Sequence, residues 1–262
     1  MNTQPHAKES QSWYWPDGRP AYTVPSADGK REIAPDVRHA RKLGLLPGVS
    51  RIIRQLAQPQ LERWKQEQMM LAALTLPRQP GELDADFLTR VREDAEAHTQ
   101  ARAEEGKAVH KAIEQSLSGE SFDPQWSEHV RLVRELLDTL PRPCIVDFKT
   151  KERFAPKQKL YYDEHILQLA AYKHGLSGRP ISASSEWDCE HTFASSLGYG
   201  GRMDAIGLMG GVLQEGWSLI SVMIAVQEPA VQHKIWTEEE AHHAWRIFTH
   251  LLAIFKLKME ST

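Results

Sequence analysis

Apolar residues between Ser50 and Thr75 recur at three- and four-residue steps: Ile52, Ile53, Leu56, Leu61, Trp64, Met69, Leu71, Leu74. That spacing predicts helix, with Pro59 breaking or starting one inside the run and Pro77 and Pro80-Gly81 closing it. Asp84 to Leu117 predicts one long helix or two joined ones. Its charge run (Arg90, Arg92, Glu93, Asp94, Glu96, Arg102, Glu104, Glu105) predicts a solvated face. Gly106 lies inside this helix at a cost of about 1 kcal/mol, which a close backbone approach would justify. Val130, Val133, Leu136 and Leu137 mark an amphipathic helix from Trp126 to Leu140, ended by Pro141 and Pro143. His165 to Gly175 is helical, with Gly175-Leu176-Ser177-Gly178 as its terminator. A last helix opens at Thr237, its cap, with Glu240 as capping-box partner. Its buried stripe is Ala244, Ile247, Leu251, Ile254 and Leu257.

Strand candidates fill the remainder. They are Cys144 to Thr150, Trp187 to Leu197, Arg202 to Met209 and the apolar run Ser218 to Val226. The second and third are joined through Gly198-Tyr199-Gly200-Gly201. Helices and strands in this arrangement predict an α/β fold with a helical N-terminal part. Residues 1 to about 45 are polar, with prolines, glycines and aromatics, and predict an irregular or hairpin arm. Trp13 and Trp15 there serve either as anchors onto the domain or as stacking platforms for bases.

The strand Cys144-Ile145-Val146-Asp147-Phe148-Lys149-Thr150 carries the strongest chemical signal. Period two puts Asp147 and Lys149 on one face and Val146 and Phe148 on the other. A second acidic strand, Gly200-Gly201-Arg202-Met203-Asp204-Ala205-Ile206, lies downstream. Two carboxylates and a lysine converging at a sheet end make a hard-cation site beside a phosphate-binding ammonium. That is the chemistry of phosphodiester hydrolysis. A lone Asp-x-Lys is more often a solvated strand edge, so the surrounding pieces matter. His110 and Glu114 share a helix face at i, i+4. Lys151, Arg153, Lys157 and Lys159 crowd a loop with Phe154, Tyr161 and Tyr162, which suits a single-stranded nucleic acid or a merely solvated loop.

Together Gly106-x-x-x-His110, Asp147-x-Lys149, Gln168-x-x-x-Tyr172, Glu190 and Gly201-Arg202-Met203-Asp204 resemble the PD-(D/E)xK nuclease superfamily. The RecB-like and phage-type exonucleases, with the mitochondrial genome maintenance exonucleases, are the most similar branch. Leu46-Pro47-Gly48-Val49-Ser50-Arg51-Ile52-Ile53 and Leu61-Glu62-Arg63-Trp64-Lys65 extend the likeness, which runs from Leu46 to the C-terminus. The order of two blocks is exchanged: here Asp-x-Lys and Gln-x-x-x-Tyr precede Glu190 and Gly-Arg-Met-Asp.

The resemblance implies a restriction-endonuclease-like core, a central mixed β-sheet flanked by helices, with an arm over 1–45 and a nuclease domain over 46–262. Its helical part would span about 46–140 and its catalytic core about 141–262. In the family's sheet the Glu, Gly-x-x-Asp and Asp-x-Lys strands form a meander, with a later strand parallel to the last. Here the exit after Leu208-Met209-Gly210-Gly211 would reach that later strand near Trp217-Ser218-Leu219-Ile220. The implied catalytic residues are Asp204, Asp147, Lys149 and Glu190, with Glu186 a poorer choice than Glu190. Mg²⁺ or Mn²⁺ would be held by Asp204, Asp147, the Phe148 carbonyl and His110. Gln168, Tyr172, Lys151 and Arg202 would bind substrate, although Gln168 and Tyr172 could instead brace Lys149 and Arg202 could form a salt bridge. The implied function is a metal-dependent DNA exonuclease of repair, recombination or phage replication. Its partners would be single-stranded or free-ended DNA and a phage or host recombination protein. The alternatives are an inactive nucleic-acid-binding module of the same fold and a small-substrate phosphatase or nucleotidase.

Bulk properties constrain this picture lightly. The chain has 262 residues, 41% hydrophobic and 26% charged, with net charge −3, so any nucleic-acid surface must be local. Two cysteines, Cys144 and Cys189, exclude a disulfide framework or a four-cysteine iron–sulfur cluster and predict packing roles. The absence of a signal peptide or long apolar stretch predicts a cytoplasmic protein without membrane partners.

Overall fold

The computed structural model describes residues 13–26, 28–57, 59–177, 181, 186–209 and 216–261. Gly178 of the expected terminator, Gly210-Gly211 of the expected exit and residues 1–12 of the arm lie outside the described residues.

Strands β5 (Cys144–Lys151), β6 (Trp187–Ser195), β7 (Tyr199–Gly207), β8 (Ser218–Ala225) and β9 (Ala230–Trp236) form one mixed sheet in the order β6-β7-β5-β8-β9. β5 is central because it is apolar on both faces. Ile145 joins one core, while Val146 and Phe148 join the other. β5 pairs with β8 in parallel along its whole length, from Cys144↔Ser218 to Lys151↔Ala225. β7 lies antiparallel on its other side, and β6 antiparallel to β7. β6, β7 and β5 thus run as an antiparallel meander, and β8 is the later strand parallel to β5.

Helices cover both faces. The first core packs the sheet against α2 (Val49–Ile53), α6 (Asp163–Leu176) and α7 (Glu238–Ser261). The second packs it against α4 (Asp84–Leu117) and α5 (Ser127–Leu137). Helix α4 is a single helix of 34 residues. Helix α3 (Pro59–Thr75) folds back on it around Ala72, Val91 and Ala95. Most apolar residues of α3 stay exposed, Leu74 at 82%, because this hairpin packs away from the sheet.

The N-terminal arm is anchored. β1 (Trp13–Tyr14) pairs with β4 (Leu46–Pro47), and β2 (Val24–Pro25) pairs with β3 (Glu32–Ile33). Helix α1 (Val37–Leu43) is capped by Asp36, which accepts from His39 N, and is ended by Gly44 at φ 66°. Trp13 is fully buried, edge-on to Phe255 and under the Arg51 guanidinium at 4.4 Å. The anchoring reading holds for Trp13, and the half-buried Trp15 packs in the same cluster.

Four details differ from the sequence reading. Gly175 does not end α6; the helix continues to Leu176, and a Cβ at Gly175 would sit 2.0 Å from the Phe193 ring. Close helix–strand packing is what this glycine serves. β9 was not expected. It is an edge strand whose alternation is weak, with Gln232 and His233 outward. The buried stripe of α7 runs through Ala241, Ala244, Phe248 and Leu252, while Ile254 and Leu257 are exposed. Steps shorter than the 3.6-residue period drift off the buried face. Finally, the turn between β6 and β7 comes earlier, and Tyr199 to Gly201 already belong to β7. The Thr237–Glu240 capping box is present in both directions. No helix among the described residues is long and apolar enough to cross a membrane.

Candidate active site

The β5–β7 ladder stops early. Its pairs are Cys144↔Gly207, Ile145↔Ile206 and Val146↔Ala205. Continuing that register places Asp147 opposite Asp204, where the strands part. The Phe148 N–H, which a longer ladder would use, donates instead to Asp204 Oδ2 at 2.7 Å. Asp204 is thus turned into the gap between the strands. In an extended strand the carbonyl of a residue points the same way as its N–H, so the Phe148 carbonyl faces this gap too.

Asp147 is buried, 1% exposed, and Lys149 Nζ stands 2.7 Å from both of its oxygens. Hydrogen-bond geometry is met at Oδ1, while Oδ2 meets the same ammonium as an ion pair without hydrogen-bond alignment. Lys149 Nζ also donates to Gln168 Oε1 at 3.3 Å, and Gln168 Nε2 donates to the Tyr172 hydroxyl at 2.6 Å. Gln168 and Tyr172, one turn apart on α6, therefore brace Lys149. Tyr172 is 4% exposed within the first core, and its hydroxyl accepts from Gln168.

Opposite Asp204 across the β6–β7 ladder lies Glu190, a non-glycine residue at φ 56° in mid-strand. This left-handed conformation costs an L-residue about 1–3 kcal/mol and marks functional sites. The pleat changes phase there. Tyr199 and Met203 face the first core, yet beyond Asp204 it is Ile206 that does so and Ala205 that faces the second. Arg202 Nη1 pairs with Glu190 Oε2 at 2.6 Å and with the Tyr22 hydroxyl at 3.3 Å. The salt bridge, one of the two expectations for Arg202, is present. Glu186 is peripheral, paired with Arg142 and 77% exposed.

Helix α4 closes the site from the other side. A Cβ on Gly106 would lie 2.6 Å from Thr150 Oγ1, the close approach that its helix cost suggested. One turn on, His110 sits edge-on to the Phe148 ring, centroids 6.2 Å apart. Burial and Lys149 hold His110 down at about 4, against the pull of Asp147, so its imidazole is neutral near pH 7. Glu114, a turn further, is raised by burial, Glu120 and Asp204. Burial raises Asp147 to about 6, with Asp204 adding to it and Lys149 opposing. Asp204 is raised by burial as well. Glu190 is pushed up to about 8 by burial, Asp204 and Glu114, despite Arg202 beside it. Burial opposes the charge on Lys149, but Asp147 and Asp204 outweigh it and raise the ammonium. Burial and mutual repulsion thus act in the same direction on Asp147, Asp204, Glu190 and Glu114, with Lys149 and Arg202 as the cations beside them.

Beyond Lys149 a cleft of ≈ 900 Å³ opens between α3, α4 and the loop after β5. Trp64, Arg102, Lys151, Tyr162 and His165 are among its walls. Lys151 Nζ contacts the Lys159 carbonyl and the Tyr162 hydroxyl, both at 3.3 Å, so it pins the loop. The sequence reading passed over Trp64 and His165 as site residues, and used Glu114 only as a neighbour of His110. His165 lies three residues before Gln168 on one helical face, a spacing that could have flagged it. Both cysteines flank the second core, where burial pushes Cys144 up to about 11 and Cys189 to about 12. No protein-family model matches the chain, and no curated protein matches it.

Proposed function

We propose that this protein is a metal-dependent deoxyribonuclease, an exonuclease built on a restriction-endonuclease-like core and working in the cytoplasm. The observation that carries this reading is the convergence of Asp147, Lys149 and Asp204 at the parting of β5 and β7, with the Lys149 ammonium 2.7 Å from both Asp147 oxygens. The strand order, with β8 parallel to the Asp-x-Lys strand, supports the fold assignment.

The donor set fits Mg²⁺ or Mn²⁺. Asp147 and Asp204 would hold the ion, with the Phe148 carbonyl facing the same gap and His110 neutral beside it. When bound, such an ion supplies polarisation of a phosphoryl oxygen and acidification of water. The chain's own residues do the rest. Lys149, braced by Gln168 and Tyr172, orients the attacking water and offsets charge developing on the phosphoryl oxygens. Asp147 keeps Lys149 protonated and in place. Trp64 and Tyr162 offer faces for unstacked bases along the cleft, and Arg102 and Lys151 offer charge to the backbone.

The decisive assay incubates 5′- and 3′-labelled single and double strands with Mg²⁺, Mn²⁺ or EDTA. Cleavage from ends, only with a divalent ion, is expected. Asp147→Asn should abolish turnover with DNA affinity roughly intact, and Lys149→Ala should lower the single-turnover rate about 10²–10³-fold. Full activity in EDTA or in Asp147→Asn would refute the mechanism.

A further inference from the structure

His165 is buried, and no role in the chemistry above uses it. Its Nδ1 accepts the Tyr162 N–H at 3.5 Å, closing the first turn of α6. A neutral imidazole has one acceptor and one donor nitrogen, so this bond fixes the proton on Nε2. His165 lines the cleft, and with Nδ1 turned back to its own helix the donor that its ring has left is Nε2–H. Burial and the ammonium groups of Lys149, Lys151 and Lys159 hold its pKa down to about 3, so the ring is neutral near pH 7.

The ammonium groups beside it differ in their partners. Lys149 has Asp147, and Lys159 approaches Asp163 at 3.8 Å. Among the described residues Lys151 pairs with no carboxylate; its ammonium meets a carbonyl and a hydroxyl and lies 5.1 Å from the centre of the Tyr162 ring. That ring in turn stands perpendicular to His165 at 5.6 Å. Glu164 also borders the cleft, one residue before His165. Lys149 and Lys151 project from one face of β5, roughly 6.6 Å apart along the strand. That separation is comparable to the distance between adjacent phosphates of an extended single strand.

We infer that His165 Nε2–H and Lys151 Nζ form a phosphate subsite next to the scissile position, holding the neighbouring phosphate of a single-stranded nucleic acid. The subsite rests on the nuclease reading for what lies beside it, but its binding can be measured without cleavage. One donor there is neutral and one charged, and salt separates them. Lys151→Gln removes a counterion-releasing contact; His165→Phe removes a donor while keeping a ring against Tyr162.

The experiment is fluorescence anisotropy of a short labelled oligothymidylate in EDTA, titrated with salt, alongside the Mg²⁺ cleavage assay. Lys151→Gln and His165→Phe should each bind about tenfold more weakly. Lys151→Gln should lower the slope of log affinity against log salt by about 0.7, and His165→Phe should leave it unchanged. His165→Gln, whose amide can both accept and donate, should recover most of the affinity. If wild type cleaves but all three variants bind like it, the subsite is wrong and the nuclease reading stands. Weakened binding by the variants in a protein that never cleaves supports the subsite and refutes the nuclease. Failure to bind or cleave removes both. Should His165→Phe unfold, Lys151→Gln and His165→Gln decide alone: unchanged affinity in the former overturns the subsite.

Discussion

Glu190 and Asp147 are carboxyl groups whose folded-state pKa values, about 8 and about 6, lie above their ordinary 4.5 and 3.8. Between those values the native protein binds protons that the unfolded chain does not, so stability falls as pH rises through that window. Thermal melts in EDTA should show Tm dropping by several degrees from pH 6 to pH 9. In Glu190→Gln the part of that drop above pH 7 should disappear. Identical profiles for the two proteins would mean that Arg202 keeps Glu190 ionised throughout. Much at this scale is legible in the sequence. Period two alone sets Asp147 beside Lys149, and i, i+4 spacing sets Gln168 beside Tyr172. The left-handed backbone at Glu190 is not legible, because no glycine announces it.

Gly106 shows how one element is seated on another. In a helix, alanine is favoured over glycine by about 1 kcal/mol, yet a methyl here meets Thr150 Oγ1 at 2.6 Å. Gly106→Ala should therefore destabilise by about 1–3 kcal/mol, as overpacking does, and shift α4 with His110 on it. In a Thr150→Ala background the same change should become stabilising by about 1 kcal/mol. Denaturant midpoints of the four proteins check this; a constant effect of Gly106→Ala in both backgrounds would dissociate the glycine from the contact. Helices were the more legible elements, since α3 to α7 carry long periodic patterns and clear stops. Edge strand β9 escaped because an edge exposed on one side needs little apolar patterning. The apolar residues of α3 gave the right element and the wrong burial, because periodicity reports a face without saying what covers it.

At the scale of the molecule, the N-terminal arm is part of the body rather than an appendage. Trp13 is buried against Phe255 near the chain's other end, and Tyr14 lies so close to β7 that a Cβ on Gly200 would come within 2.6 Å of it. Trp13→Ala should cost about 3–5 kcal/mol and leave the salt slope of DNA affinity unchanged. A lowered slope or selective loss of DNA binding without loss of stability would return Trp13 to the role of base platform.

The position of β5 has a consequence for the life of the nascent chain. Its parallel partner begins 74 residues later, Ser218 against Cys144. Translation at about 5–20 residues per second leaves the apolar strand without that neighbour for roughly 4–15 s. Asp204, too, is made long after Asp147. A ribosome-bound fragment that stops short of β7 holds Asp-x-Lys without its second carboxylate. Asp147 and Asp204 can be brought together only after β7 has been made, so a nascent chain that stops short of it cannot complete the arrangement.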